Sequence, residues 1–129
     1  MSIQVKVEDE NKLLYVSYSG QIDLTQLCDD VLALTQMPGY NAEWDGISDF
    51  SQAEVLYTKV DMFEFQKFVA SLPNPSTGCW AVIMPDKKSY RTTVIWEVLS
   101  DGIHDAMYVC YLESEARNWI KLKQKSHKL

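Results

Sequence analysis

The period of the apolar residues changes repeatedly along this chain, from two to about 3.6 and back, and this alternation limits the available folds more than any other feature. Ile3, Val5 and Val7 fall on one side of an extended segment, with Gln4 and Lys6 on the other. After the polar turn Glu8-Asp9-Glu10-Asn11-Lys12, the run Leu13 to Ser19 is rich in β-branched and aromatic residues. Two strands joined by so short a link form an antiparallel hairpin. Gly20 is expected to break the second strand, and Asp23 is placed to cap a helix. In that helix Leu24, Leu27, Cys28, Val31 and Leu34 share one face, while Gln26, Asp29 and Asp30 face away.

Pro38-Gly39 ends this helix, and Trp44 to Phe50 reads as a third strand. Thr58 is positioned to cap a second helix whose buried face is Met62, Phe65, Phe68, Val69 and Leu72. Cys79 to Met84 is a short apolar run between turn signals, as a buried parallel strand requires. Ser89 opens a third helix in which Tyr90, Val94, Ile95, Val98 and Leu99 share a face. Ala106 to Leu112 is the last strand and Glu113 to Lys123 the last helix. The order β-β-α-β-α-β-α-β-α implies an α/β fold, with a mostly parallel five-stranded sheet and an antiparallel hairpin at one edge. The 129 residues suit one domain, taken as 1–125, followed by a basic tail at 126–129.

Charge and composition remove several classes of function. A net charge of −6 argues against a nucleic-acid partner, because phosphate binding needs a surplus of Lys and Arg. The cations Arg117, Lys121, Lys123, Lys125 and Lys128 gather at the C-terminus, where they complement the dipole of a solvated terminal helix. No apolar run is long enough to span a bilayer and none resembles a signal peptide, so a cytoplasmic location is expected. Cys28, Cys79 and Cys110 are odd in number and far apart, which argues for buried small hydrophobes over disulfides or zinc.

A search for chemistry yields few candidates. His104 and His127 lack metal-ligand spacing, and no nucleophile elbow, phosphate loop or dinucleotide fingerprint occurs. No catalytic residue, metal site or cofactor is therefore expected. Asp49 and Asp86 lie near the carboxyl ends of parallel strands, where ligands gather in open α/β sheets. They are read either as turn and cap residues or as a magnesium or phosphoacceptor pair. Arg91 falls within an apolar arc in the first turn of its helix, so it either snorkels to solvent, pairs with Asp86, or anchors an anion. Phe63 and Trp96 point away from the expected buried faces of their helices. They are read as packed under neighbouring segments, or as an interface or apolar ligand site.

The C-terminal half carries a resemblance. Ala81-Val82-Ile83-Met84-Pro85-Asp86 precedes a helix with Arg91 and Trp96-Glu97-Val98-Leu99. A last strand then leads to Ser114-Glu115-Ala116-Arg117-Asn118-Trp119-Ile120. With the front hairpin and Gly20-Gln21-Ile22-Asp23, this order resembles the SpoIIAA-like family of bacterial STAS-related domains. The resemblance implies a sheet with helices packed on it and no enzymatic activity. It implies a role as a regulatory or protein-interaction module, acting on a protein partner or on itself as a homodimer. Because the family is compared with CRAL-TRIO lipid-binding domains, the alternative is a binder of a small apolar anion such as a fatty acid, held by Arg91. Anti-sigma-factor antagonists of this fold are phosphorylated on a Ser where a strand meets a helix. Ser51 is the position here to which that role carries over, although the Gly-rich continuation of the antagonists is absent.

Overall fold

A computed structural model describes residues 3–100 and 107–127. The hairpin forms from β1 (Ile3–Glu8) and β2 (Leu13–Ile22), antiparallel in a register from Ile3 opposite Tyr18 to Glu8 opposite Leu13. A 3₁₀ turn, Asp9–Asn11, joins them, and Lys12 closes it at φ 50°. Then follow α1 (Leu24–Gln36), β3 (Asp45–Val55), α2 (Lys59–Ala70), β4 (Trp80–Ile83), α3 (Lys87–Ser100), β5 (Met107–Cys110) and α4 (Glu113–His127). The sheet order is β1-β2-β3-β4-β5, and β2 to β5 run parallel, as the alternation of periods requires.

Helix starts follow local chemistry. Asp23 Oδ1 accepts from the backbone N–H of Gln26 at 2.8 Å, and Thr58 and Asp61 form a reciprocal capping box. Because successive parallel strands step in one direction across the sheet, right-handed crossovers place α1, α2 and α3 on the same face. The opposite face is left to α4. Two cores result. Val16, Tyr18, Phe50, Phe65, Val82 and Val109 belong to the three-helix side; Leu13, Ile47, Ala81, Ile83, Ala116 and Ile120 belong to the α4 side.

Five local expectations are corrected. Gly20 does not end β2: at φ +77° it continues the strand through a conformation other residues avoid, and pairing runs on to Ile22. β3 extends past Phe50 to Val55 through a bulge, where three steps on β3 (Asp49 to Gln52) match two on β2 (Ser17 to Ser19). The extra residue flips the side-chain phase, so Phe50 and then Ala53 and Val55 face the same core, and simple alternation is lost. Asp30, expected outside, is only 2% exposed, and Gln26 Nε2 donates to its Oδ1 at 2.9 Å.

The fourth correction concerns α3. It begins at Lys87, with Asp86 Oδ1 accepting from Ser89 N–H at 2.8 Å, and its buried residues include Ser89, Thr92 and Thr93. Val98, expected inside, is 69% exposed. Counting only apolar residues misses threonines, which bury methyl groups while their hydroxyls find partners. Thr93 Oγ1 bonds the Tyr57 hydroxyl at 2.8 Å and donates to Met84 Sδ. α4 runs on to His127, four residues past its expected end and into the segment read as a tail.

Candidate functional site

The central strand β3 presents its smallest side chains to the three-helix layer. Gly46 lies between Leu14 on β2 and Trp80 on β4, and Ser48 between Val16 and Val82. This depression has two consequences. The Trp80 indole lies against Gly46, where an added Cβ would overlap its ring. Above the low floor an apolar cavity of about 310 Å³ remains between sheet and helices. Leu34 and Val31 of α1, Phe65 and Val69 of α2, and Trp96 of α3 form its roof. Tyr18, Trp80 and Met107 complete the floor, and the exposed Ala70, Pro75 and Thr77 mark its mouth.

The cavity sits toward the N-terminal edge of the parallel strands, beside the starts of β4 and β5 and the C-terminal halves of α1 and α2. This is opposite to the carboxyl edge at which ligands gather in open α/β sheets. Its walls are held by ring contacts: Phe65 meets Trp96 edge-on at 4.7 Å and stacks with Phe68 at 6.3 Å, while Tyr18 stacks on Phe50 at 4.1 Å. Trp96 Nε1 donates to Gln66 Oε1 at 3.0 Å, and Trp80 Nε1 donates to Ser76 Oγ at 2.7 Å. The Tyr18 hydroxyl lies beside Ser48, and burial, reinforced by the Asp30 carboxylate, raises its pKa, so it stays protonated. No described lining residue carries a charge.

The sequence candidates do not converge on this cavity. Asp86 is an exposed cap of α3, its pKa lowered chiefly by the Ser89 N–H. Asp49 lies on the α4 side, where its carboxylate accepts from Tyr15 O–H at 2.6 Å and from Ser51 N–H at 2.9 Å. Ser51 itself is exposed beside the β3 bulge. Arg91 is exposed on the outer side of α3, not in the apolar arc, and does not line the cavity. Phe63 is 50% exposed, as expected from its helix position. Trp96 is not: it turns inward and forms a cavity wall. His104 lies outside the described residues.

One polar cluster has no counterpart in the sequence reading. Arg117 of α4 donates to both Glu8 oxygens (3.0 and 2.9 Å) and through Nε to Glu113 at 2.7 Å, and its guanidinium lies 5.2 Å over the Tyr15 ring. The guanidinium holds the Glu8 carboxyl down to about 2, and the two carboxylates raise the pKa of Arg117. The Tyr15 hydroxyl also donates to Glu113 at 3.2 Å; burial first, then Asp49, keeps it protonated. The cluster fastens α4 to the hairpin. Such a pairing spans the chain's two ends, so no local signal announces it. Among the described residues no group of three His, Cys, Asp or Glu is placed to hold a metal ion. Burial pushes the Cys110 thiol up to about 11, which leaves it a poor nucleophile.

No family model matches the sequence, and no curated protein matches it. Among solved structures, the fold is similar to that of an uncharacterized DUF3478-family protein with a SpoIIAA-like fold from Shewanella loihica PV-4. The TM-score is 0.53 and the identity 14%, over 92% of this chain and 91% of that one. At that identity the likeness speaks for architecture alone, and the chain has a SpoIIAA-like fold. Among the described residues, no helix is long and apolar enough to cross a membrane.

Proposed function

We propose that this SpoIIAA-like domain is a non-enzymatic module that binds a small apolar molecule between its sheet and its three-helix layer. The cavity of about 310 Å³ carries this reading. It is about twice the ~150 Å³ of a void that accepts benzene, which scales to a ligand of about a dozen non-hydrogen atoms. Its lining of aromatic and aliphatic side chains with a few polar tips is the usual make-up of a small-molecule site. The exposed position of Arg91 argues against the fatty-acid form of this reading, since nothing in the described lining would neutralise a carboxylate.

Val69→Phe places a ring in the cavity and tests the reading, with a stability change under about 1 kcal/mol. Native mass spectrometry of gently purified protein is expected to show a small non-covalent adduct that this variant lacks. A bare wild-type protein whose tryptophan fluorescence also ignores ten-carbon ketones, acids and amines would end the proposal.

A second reading, protein interaction or self-association, draws on a different surface. Leu56 at 45%, Val60 at 72% and Phe63 at 50% exposure cluster in sequence, with Val60 and Phe63 one turn apart on the outer side of α2. Light scattering over a wide concentration range checks the homodimer form of this reading; a strict monomer throughout removes it.

A further inference from the structure

The polar groups around the cavity define its guest more narrowly than its size does. An indole N–H can only donate. Because Trp96 Nε1 points at Gln66, the amide oxygen of Gln66 must turn toward it, and the amide NH₂ is left over. Those two N–H groups meet no acceptor among the described residues. Ser76 repeats the pattern. Its Oγ accepts from Trp80 Nε1 at 2.7 Å and from Gly78 N–H at 3.2 Å, which occupies both lone pairs and leaves the hydroxyl proton unused within the described structure.

Other hydroxyls of the lining are already committed as donors to main-chain carbonyls: Thr35 to Leu32, Tyr40 to Asn74 and Thr77 to Ala42. Tyr18 and Ser48 face each other, and a bond between two hydroxyls engages only one of their two protons. The side-chain donors left over at this apolar cavity are thus the Gln66 amide, the Ser76 hydroxyl and one hydroxyl of the Tyr18–Ser48 pair, and no described lining residue adds a charge.

We infer that the ligand is a neutral molecule of about a dozen non-hydrogen atoms whose polar end is an acceptor oxygen, such as a ketone, ester or amide carbonyl, received by Gln66 Nε2, the leftover donor with two N–H groups. This rests on the cavity being the binding site and adds the chemical class of what it takes. A carboxylate entering the same space would lose its hydration with no cation to meet it, and an ammonium would lose its own with no carboxylate to meet it. A carbonyl loses little on entry and regains a hydrogen bond.

The test uses the full chain and three probes of matched length: 2-decanone, decanoate and decylamine, titrated at pH 7 against the fluorescence of Trp80 and Trp96. The ketone is expected to bind at least tenfold more tightly than either charged probe. Gln66→Glu keeps an oxygen for Trp96 Nε1 but removes the amide donors. It should weaken the ketone by about three- to tenfold, one hydrogen bond's worth, and strengthen the amine. If the acid or amine binds wild-type protein as tightly as the ketone, the ligand class is wrong while the cavity remains a site. If the ketone binds a folded Gln66→Glu protein unchanged and the amine gains nothing, the assignment of the polar end is wrong. If none of the three binds, the cavity reading itself falls. The wild-type comparison decides the ligand class even if the variant does not fold.

Discussion

The two faces of the sheet solve the same problem by different means. The three-helix face buries large rings and aliphatic chains, with Phe65, Trp96, Tyr18 and Phe50 in direct contact, and it retains a void. The α4 face has one helix, a narrower strip (Ala81, Ala116, Ile47, Ile83, Ile120) flanked by the stacked rings of Tyr108 and Trp119, and an ionic clamp from Arg117 to Glu8 and Glu113. Where α4 does not reach, the strands expose Gln4, Lys6 and Ser19, so that part of the face needs no cover. Apolar area is abundant on the first face and scarce on the second. Oriented charge assists where area is short, and space for a guest persists where area is in surplus.

This contrast can be broken first at Phe65. It is 1% exposed and braces both Phe68 and Trp96, so Phe65→Ala should cost about 3 to 5 kcal/mol in chemical denaturation. A loss near 1 kcal/mol would mean the layer is loosely packed. Gly46→Ala comes next. The new methyl group must displace the Trp80 ring, and the expected penalty is about 1 to 3 kcal/mol together with weaker binding of 2-decanone. Unchanged stability and affinity would show that the depression in β3 does not shape the cavity.

On the other face, the clamp should be worth less and depend on pH. The Glu8 carboxyl is depressed from an ordinary 4.5 to about 2, so its contribution is complete above 4.5 and fades as pH falls through the folded value. Allowing for screening at a partly open pair, Glu8→Gln should cost about 1 to 2 kcal/mol at pH 7. Urea melts should show the gap to wild type closing between pH 4.5 and pH 2; a gap independent of pH would mean that the charge is immaterial. The smallest effect belongs to Phe63. Outside both cores and half exposed, Phe63→Gln should shift stability by less than about 0.5 kcal/mol in the same melts. A larger loss would reveal packing that its exposure conceals.

Much of the fold was legible because it depends on neighbours in the chain. The hairpin, the caps at Asp23 and Thr58, the inward face of α2 and the parallel run β2 to β5 all follow from spacing and local hydrogen-bonding chemistry. Reading failed where a residue's role depends on something distant. Helical spacing places Trp96 outward, away from Val94 and Val98, yet Phe65 of another helix receives it. The phase flip in β3 is invisible without β2 beside it. Asp49, Asp86 and Arg91 were sensible candidates by position, but they do not gather at the cavity.

From the amino acids alone came the α/β class, the element order and the scarcity of catalytic groups, because propensity, period and capping act over a few residues. The cavity, its leftover donors on Gln66 and Ser76, and the clamp joining Arg117 to Glu8 arose only on folding. Each requires side chains tens of residues apart to meet, and only the stacking of helices on a sheet brings them together.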